Sequence, residues 1–250
     1  PIGIPIEISP ESREAFETVD SIAPGSLVVF GFDYNPGNAP ELKPQAMAIL
    51  RHLLKKDVKV ICITFQAQGS LLCDQALKES GWAEKEYGVD YVNLGYRAGG
   101  QSAVAAFAAD IPGTFNTDAT GKPSASLAIM QGITTAADID MIVTIAGGTP
   151  GAEDYVRQVY SSYKTPVVAG VPAVSITQVA PYVQAQQLKG ILGGLPGAAQ
   201  YELLLNQPGT AVAAMDAQSL AHLLIVILII LRNIGYLYEK RAARLVAERG

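Results

Sequence analysis

At 250 residues, with hydrophobic residues at 49% and charged residues at only 16%, the chain has room for one sizeable folded body with appendages and is too apolar to be disordered. Its formal charge of −5 is unevenly spread: residues 1–216 hold 13 Lys and Arg against 21 Asp and Glu, whereas residues 217–250 hold 5 against 2. An acidic body without a basic, aromatic-interleaved face argues against nucleic acid as a partner, because phosphate neutralisation supplies most of that affinity.

The chain opens on Pro1 rather than Met, so an upstream signal peptide or membrane anchor is expected. Residues 1–23 are expected to be an extended segment whose alternating run IPIEI, at 4–8, is a ready edge for pairing with a neighbouring subunit. The body is expected over residues 24–206. Residues 25–33 (GSLVVFGFD) are a short apolar run between Pro24 and Asn35-Pro36-Gly37, which suits a strand buried on both faces. Residues 41–56 follow as a helix with Met47, Leu50, Leu53 and Leu54 on one stripe and Arg51, Lys55 and Lys56 outside it.

Further strands are expected at 58–65 (VKVICITF), 89–94 (VDYVNL), 140–146 (DMIVTIA) and 166–171 (PVVAGV). Helices are expected at 70–80 with Gly81 closing it, at 102–110, at 152–163 and at 175–187, with a short helical piece near 127–132. Residues 111–124, rich in Pro, Gly, Thr and Asp, read as a long loop. This alternation predicts an α/β body built on a doubly wound, mostly parallel, Rossmann-like sheet of about five strands. Cys62 falls in a buried strand and Cys73 in the next helix, where they read as packed free thiols, a Cys62–Cys73 bridge being the alternative.

Residues 193–199 (GGLPGAA) form an elbow leading to an apolar helix at 201–205, and residues 207–218 are expected to be a linker. The run 220–238, LAHLLIVILIILRNIGYLY, is long enough to cross a hydrocarbon core of roughly 30 Å. A transmembrane helix is therefore expected over 219–238, with a basic tail at 239–250. Lys240, Arg241, Arg244 and Arg249 follow the span, while the 25 residues before Gln218 carry no Lys or Arg. The tail is thus expected in the cytoplasm and the body outside, with Tyr236 and Tyr238 in the interfacial belt. Arg232 either snorkels to the cytoplasmic face, the span shifting toward Ala211, or meets a neighbouring helix together with Asn233. His222 reads as an interfacial residue rather than a metal ligand.

Chemistry is sparsely signalled. The chain has two histidines, His52 and His222, and neither follows a strand, so Ser-His-Asp, Cys-His and His-based metal sites lack their parts. No cofactor or metal is expected. Ligands of doubly wound sheets bind beyond the carboxyl ends of the strands, which singles out Asp33 and Tyr34 after the first strand, Arg97 and Gln101 after the third, and Thr149 after the fourth. Asp33 could orient Mg²⁺ or accept a proton, or simply form a turn. The stretch GYRAGGQS at 95–102 offers backbone N–H groups, a helix start and a guanidinium to an anion, and GGTPG at 147–151 repeats the pattern with Glu153 and Asp154 behind it. Neither is a Walker or G-x-G-x-x-G motif, and tight strand-to-helix turns account for both.

The stretches GVDYVNLGYRAGG, GILGGLPGAAQYELLL and MDAQSLAHLLIV resemble a family of uncharacterised prokaryotic membrane-anchored proteins of this layout, over about residues 1–238. The resemblance implies the anchor and a hydrophobic segment ahead of residue 1, and no activity or catalytic residue. The expected function is a non-enzymatic protein of the cell membrane that assembles with itself or with other membrane proteins, His222, Arg232 and Asn233 lying in the bilayer or at its faces. The alternative is an extracytoplasmic ligand-binding or hydrolytic domain using Asp33, Tyr34, Arg97, Gln101 and Thr149.

Overall fold

The computed structural model describes residues 3–247, with side chains up to residue 241. Its centre is a six-stranded parallel sheet: β1 (Leu27–Asp33), β2 (Lys59–Thr64), β3 (Tyr91–Tyr96), β4 (Met141–Ala146), β5 (Val167–Val171) and β6 (Ile191–Gly193), in the order β3-β2-β1-β4-β5-β6. The strands read as continuous apolar runs because helices cover both faces. Val29 pairs with Ile61 on one side and Ile142 on the other, and its side chain belongs to one core layer while its neighbours Val28 and Phe30 belong to the other.

One layer lies under α1 (Pro10–Asp20), α2 (Ala39–Lys55), α3 (Gly69–Glu79) and α9 (Gly194–Leu204), the other under α4 (Gly100–Ala109), α5 (Ile111–Thr114), α6 (Ala152–Tyr155), α7 (Ser161–Tyr163) and α8 (Ile176–Gln184). A five-residue π turn at Val156–Tyr160 joins α6 to α7. Gly81 takes the left-handed position (φ 94°) just past the end of α3, and Trp82 beside it is fully buried, its Nε1–H donating to the Leu50 carbonyl at 3.0 Å. Cys62 and Cys73 are buried free thiols in the same layer, so no bridge joins them; burial pushes the Cys73 thiol further up from its ordinary pKa.

The structure corrects the expected 1–23 and 207–218 segments and adds to the expected sheet. Residues 1–23 are not simply extended: Ser9 accepts from the Ser12 N–H, Pro10 opens the first turn, and α1 buries Ser12, Ala15 and Val19. The segment before α1 is tied to the body: the N–H groups of Gly3 and Ile4 donate to Asp216, and the Glu7 carbonyl accepts from Gln200. A sixth strand, β6, extends the sheet. The 207–218 linker is mostly helix, because α10 begins at Thr210 and runs through the whole expected span and into the tail, to Ala247; residues 248–250 of that tail lie outside the described residues.

The join between body and last helix is built from two buried acids. The turn 205–209 folds α10 back against α9, as short connections between helices do. Ala198 and Ala199 pack on Ala211 and Val212, small residues that let the two backbones approach closely. Glu202, buried on α9, accepts from the N–H groups of Gly209 (2.8 Å), Val212 (2.9 Å) and Ala211 (3.1 Å), satisfying donors that a helix start leaves without partners. Asp216, also buried, holds Gly3 and Ile4 at 3.1 Å. Asp216→Ala should therefore release residues 3–8, read as accelerated amide exchange there, at a cost of about 1–3 kcal/mol in unfolding free energy.

Candidate functional site

The strand order reverses direction between β1 and β4, so the crevice that doubly wound sheets use for ligands lies beyond Asp33 and Ala146. Three contacts cross it. The Gly147 N–H donates to the Asp33 carbonyl (3.0 Å), Asn38 Nδ2 donates to the Gly147 carbonyl (2.7 Å), and Gln66 Nε2 donates to the Thr149 carbonyl (2.5 Å). An unfilled cleft of about 260 Å³ remains to one side, lined among others by Gly147, Thr149, Glu153, Ser175 and Gln178.

Asp33 sits under this crevice, fully buried. Its Oδ1 accepts from the Phe65 N–H (2.7 Å) and its Oδ2 from the Tyr155 hydroxyl (2.6 Å). Burial raises its pKa to about 7, against the lowering effect of the Tyr155 and Phe65 bonds, and the nearby charge of Asp154 adds to the rise. Burial likewise pushes the Tyr155 hydroxyl up. The buried Thr144 hydroxyl lies beside the Tyr155 hydroxyl and works against that rise. Gly31 makes room for the group: a Cβ there would lie 2.8 Å from the Tyr155 hydroxyl, 3.2 Å from Asp33 Oδ2 and 3.3 Å from Thr144 Oγ1. Gly31→Ala should thus cost about 1–3 kcal/mol by overpacking, measurable by denaturant unfolding.

Tyr34 points to the opposite core layer, as alternation along a strand requires. It packs near Phe32 with ring centroids 6.2 Å apart, and its buried hydroxyl, pushed up in pKa by that burial, has no partner. Asp33 and Tyr34 therefore do not share a face.

Arg97 is committed to its own chain. Nε donates to the Thr114 carbonyl (2.8 Å), the terminal nitrogens to the Tyr96 carbonyl (2.9 Å) and Asn116 Oδ1 (3.2 Å), and the guanidinium lies 5.2 Å from the centre of the Phe115 ring. Its planar fork fastens the 114–117 loop. Arg97→Lys should lose much of that fastening, with faster amide exchange at 114–117 and a destabilisation of about 1–2 kcal/mol.

Gln101 and Thr149 are exposed at the carboxyl end of the sheet, where a Cβ on Gly100 would touch Thr149 at 3.4 Å. Of the five expected ligand residues, these two are the exposed ones. His52 lies among the first helices rather than at the crevice: Nδ1 meets the Tyr201 hydroxyl (2.8 Å), Nε2 meets Asp20 (3.1 Å) and the ring stacks on Phe16 at 4.7 Å. Burial lowers its pKa. Among the described residues no group of three His, Cys, Asp or Glu side chains is placed to hold a metal ion.

His222, Arg232 and Asn233 all lie on the exposed part of α10. Arg232 approaches Glu239 at 3.7 Å, and Arg232 and Asn233 border a shallow groove with Ile225, Leu228 and Ile229. Sequence reasoning missed Tyr155, Thr144, Glu202 and Asp216. A glycine inside the apolar run VVFGFD signals close approach of a neighbour, and an acid inside AAQYELLL is a signal of the same kind.

Comparison with models of known protein families finds no match, and comparison with curated proteins finds none either.

Proposed function

We propose that the chain is a non-enzymatic protein of the cell membrane that holds an α/β body against the bilayer and assembles through its last helix. The observation that carries this reading is the contrast along α10. Its first turns are locked to the body by Glu202 and Asp216, while from Leu220 to Tyr238 its large apolar side chains are exposed on every side. The candidate span Thr210–Arg241 has 32 residues, about 48 Å of helix at 1.5 Å per residue, which leaves roughly 30 Å for the bilayer after the docked turns.

Lys240 and Arg241, after the exposed apolar stretch that ends at Tyr238, favour a cytoplasmic tail and an extracytoplasmic body. The approach of Arg232 to Glu239 directs its charge toward the tail, the direction in which it snorkels. The groove formed by Ile225, Leu228, Ile229, Arg232 and Asn233 repeats at helical spacing and offers a second copy an apolar seam with a polar residue at one end. Blue-native electrophoresis after mild extraction should show a dimer or larger species, weakened by Asn233→Leu. A monomer alone would contradict the assembly.

A second reading is favoured by the cleft beside the switch point: a small polar ligand there would meet the backbone of 147–151, Thr149, Ser175 and Gln178. A thermal shift with a small-molecule panel, lost in Gln178→Ala, would support it.

A further inference from the structure

The two ends of the sheet differ in charge. The segments that follow the strands at their carboxyl ends, 34–38, 65–68, 97–99, 147–151 and 172–175, contain one charged residue between them, Arg97, which is turned onto the 114–117 loop. Of the acids beside these segments, Glu41 accepts from the Ala173 N–H, Glu153 from the Gln178 amide and the buried Asp154 from the Gly151 N–H. Segments at the opposite end carry Lys56, Asp57, Glu84, Lys85, Asp140 and Lys189.

The same carboxyl end exposes apolar surface. Among the described residues, the exposed large apolar side chains outside α10 are Leu71 (63%), Tyr96 (38%) and Val174 (88%). Leu71 is in the first turn of α3 after β2, Tyr96 ends β3, and Val174 follows β5. All three are at the carboxyl ends of their strands. They spread across four strand spacings, about 19 Å.

The direction of α10 says what covers them. α9 starts where β6 ends and runs away from the carboxyl end; α10 folds back along it and so travels toward that end, entering its unbroken apolar run at Leu223. The bilayer that α10 enters is then on the side of the uncharged loops. We propose that the carboxyl end of the sheet rests on that bilayer, with Leu71, Tyr96 and Val174 in its interfacial zone. Neutral Gly, Pro, Asn and Gln loops suit a headgroup layer, a Tyr suits the aromatic belt, and the charged end of the body is turned to water. The cleft beside Thr149 then opens toward lipid. This inference rests on α10 spanning the membrane.

The test uses the full chain in phosphatidylcholine vesicles, spin-labelled at single introduced cysteines: Val174→Cys, Leu71→Cys, Glu84→Cys at the charged end and Leu224→Cys within α10. Cys62 and Cys73 are buried and stay unlabelled. The ratio of oxygen to water-soluble nickel-chelate collisions should be several-fold higher at 174 and 71 than at 84, and highest at 224. A ratio at 174 and 71 equal to that at 84, with 224 in lipid, would overturn the resting position alone. An aqueous 224 would overturn the span and the inference with it. Spin–spin broadening at 174 that vanishes on dilution with unlabelled protein would identify a second copy as the occupant and overturn contact with lipid.

Discussion

Glu202→Ala should lower the unfolding free energy of the detergent-solubilised protein by about 2–4 kcal/mol, among the largest single-residue effects outside the apolar core. The carboxylate accepts from three backbone N–H groups at the start of α10, and two of them, on Ala211 and Val212, are buried. Alanine leaves those donors without partners and out of reach of water, and it removes the negative charge that the positive end of the helix favours. Glu202→Gln should lose a good part of the same free energy, because one of its two acceptors becomes a donor facing other donors. Loss of the cap should also loosen the hairpin, seen as faster proteolysis within 205–209. Unchanged stability in both variants would show that packing of the four alanine and valine side chains alone holds the helix.

Asp33→Asn should change the pH dependence of stability. The folded carboxyl group has its pKa raised from the ordinary 3.8 to about 7 by burial. Between those values the native state keeps a proton that the unfolded chain has released, so this group's contribution is fully present below about pH 4 and is lost as pH rises to about 7. The slope is on the order of 1.4 kcal/mol per pH unit at most. Asparagine does not titrate and can keep both contacts, its oxygen accepting from Phe65 N–H and its amide donating to the Tyr155 hydroxyl. The variant should therefore gain on the native protein as pH rises from 4 to 7. His52, with its pKa lowered by burial, gives a slope of opposite sign over part of this range, but it is common to both proteins and cancels in their difference. Parallel curves for the two, from urea unfolding at successive pH values, would show that the carboxylate is stabilised as well in the fold as in water.

Most of the architecture was legible because apolar strands between Gly and Pro turns have no other stable burial than a helix-covered parallel sheet. What escaped did so for local reasons. The stretch PESREAFETVD has few large apolar residues, and its helix buries Ser12, Ala15 and Val19 beside only a half-buried Phe16, so periodicity was faint; the Ser9–Pro10 start was the usable signal. β6 has three residues, too short for a pattern. Asp33 was placed correctly at the end of a strand, but its partner Tyr155 lies 122 positions away, and nothing in a local reading brings them together. Arg97 looked like an anion ligand because the sequence around it is glycine-rich; the 114–117 loop that takes it up has no period to reveal its path.

With α10 embedded in a membrane and the body carried on it, the decisive experiment is flotation of the full chain with lipid vesicles after an alkaline carbonate wash. The protein should float with the lipid, since only segments embedded in hydrocarbon resist that wash. Recovery in the aqueous fraction as a folded soluble oligomer would mean that the apolar side chains of α10 are covered by protein and that the helix does not enter a bilayer.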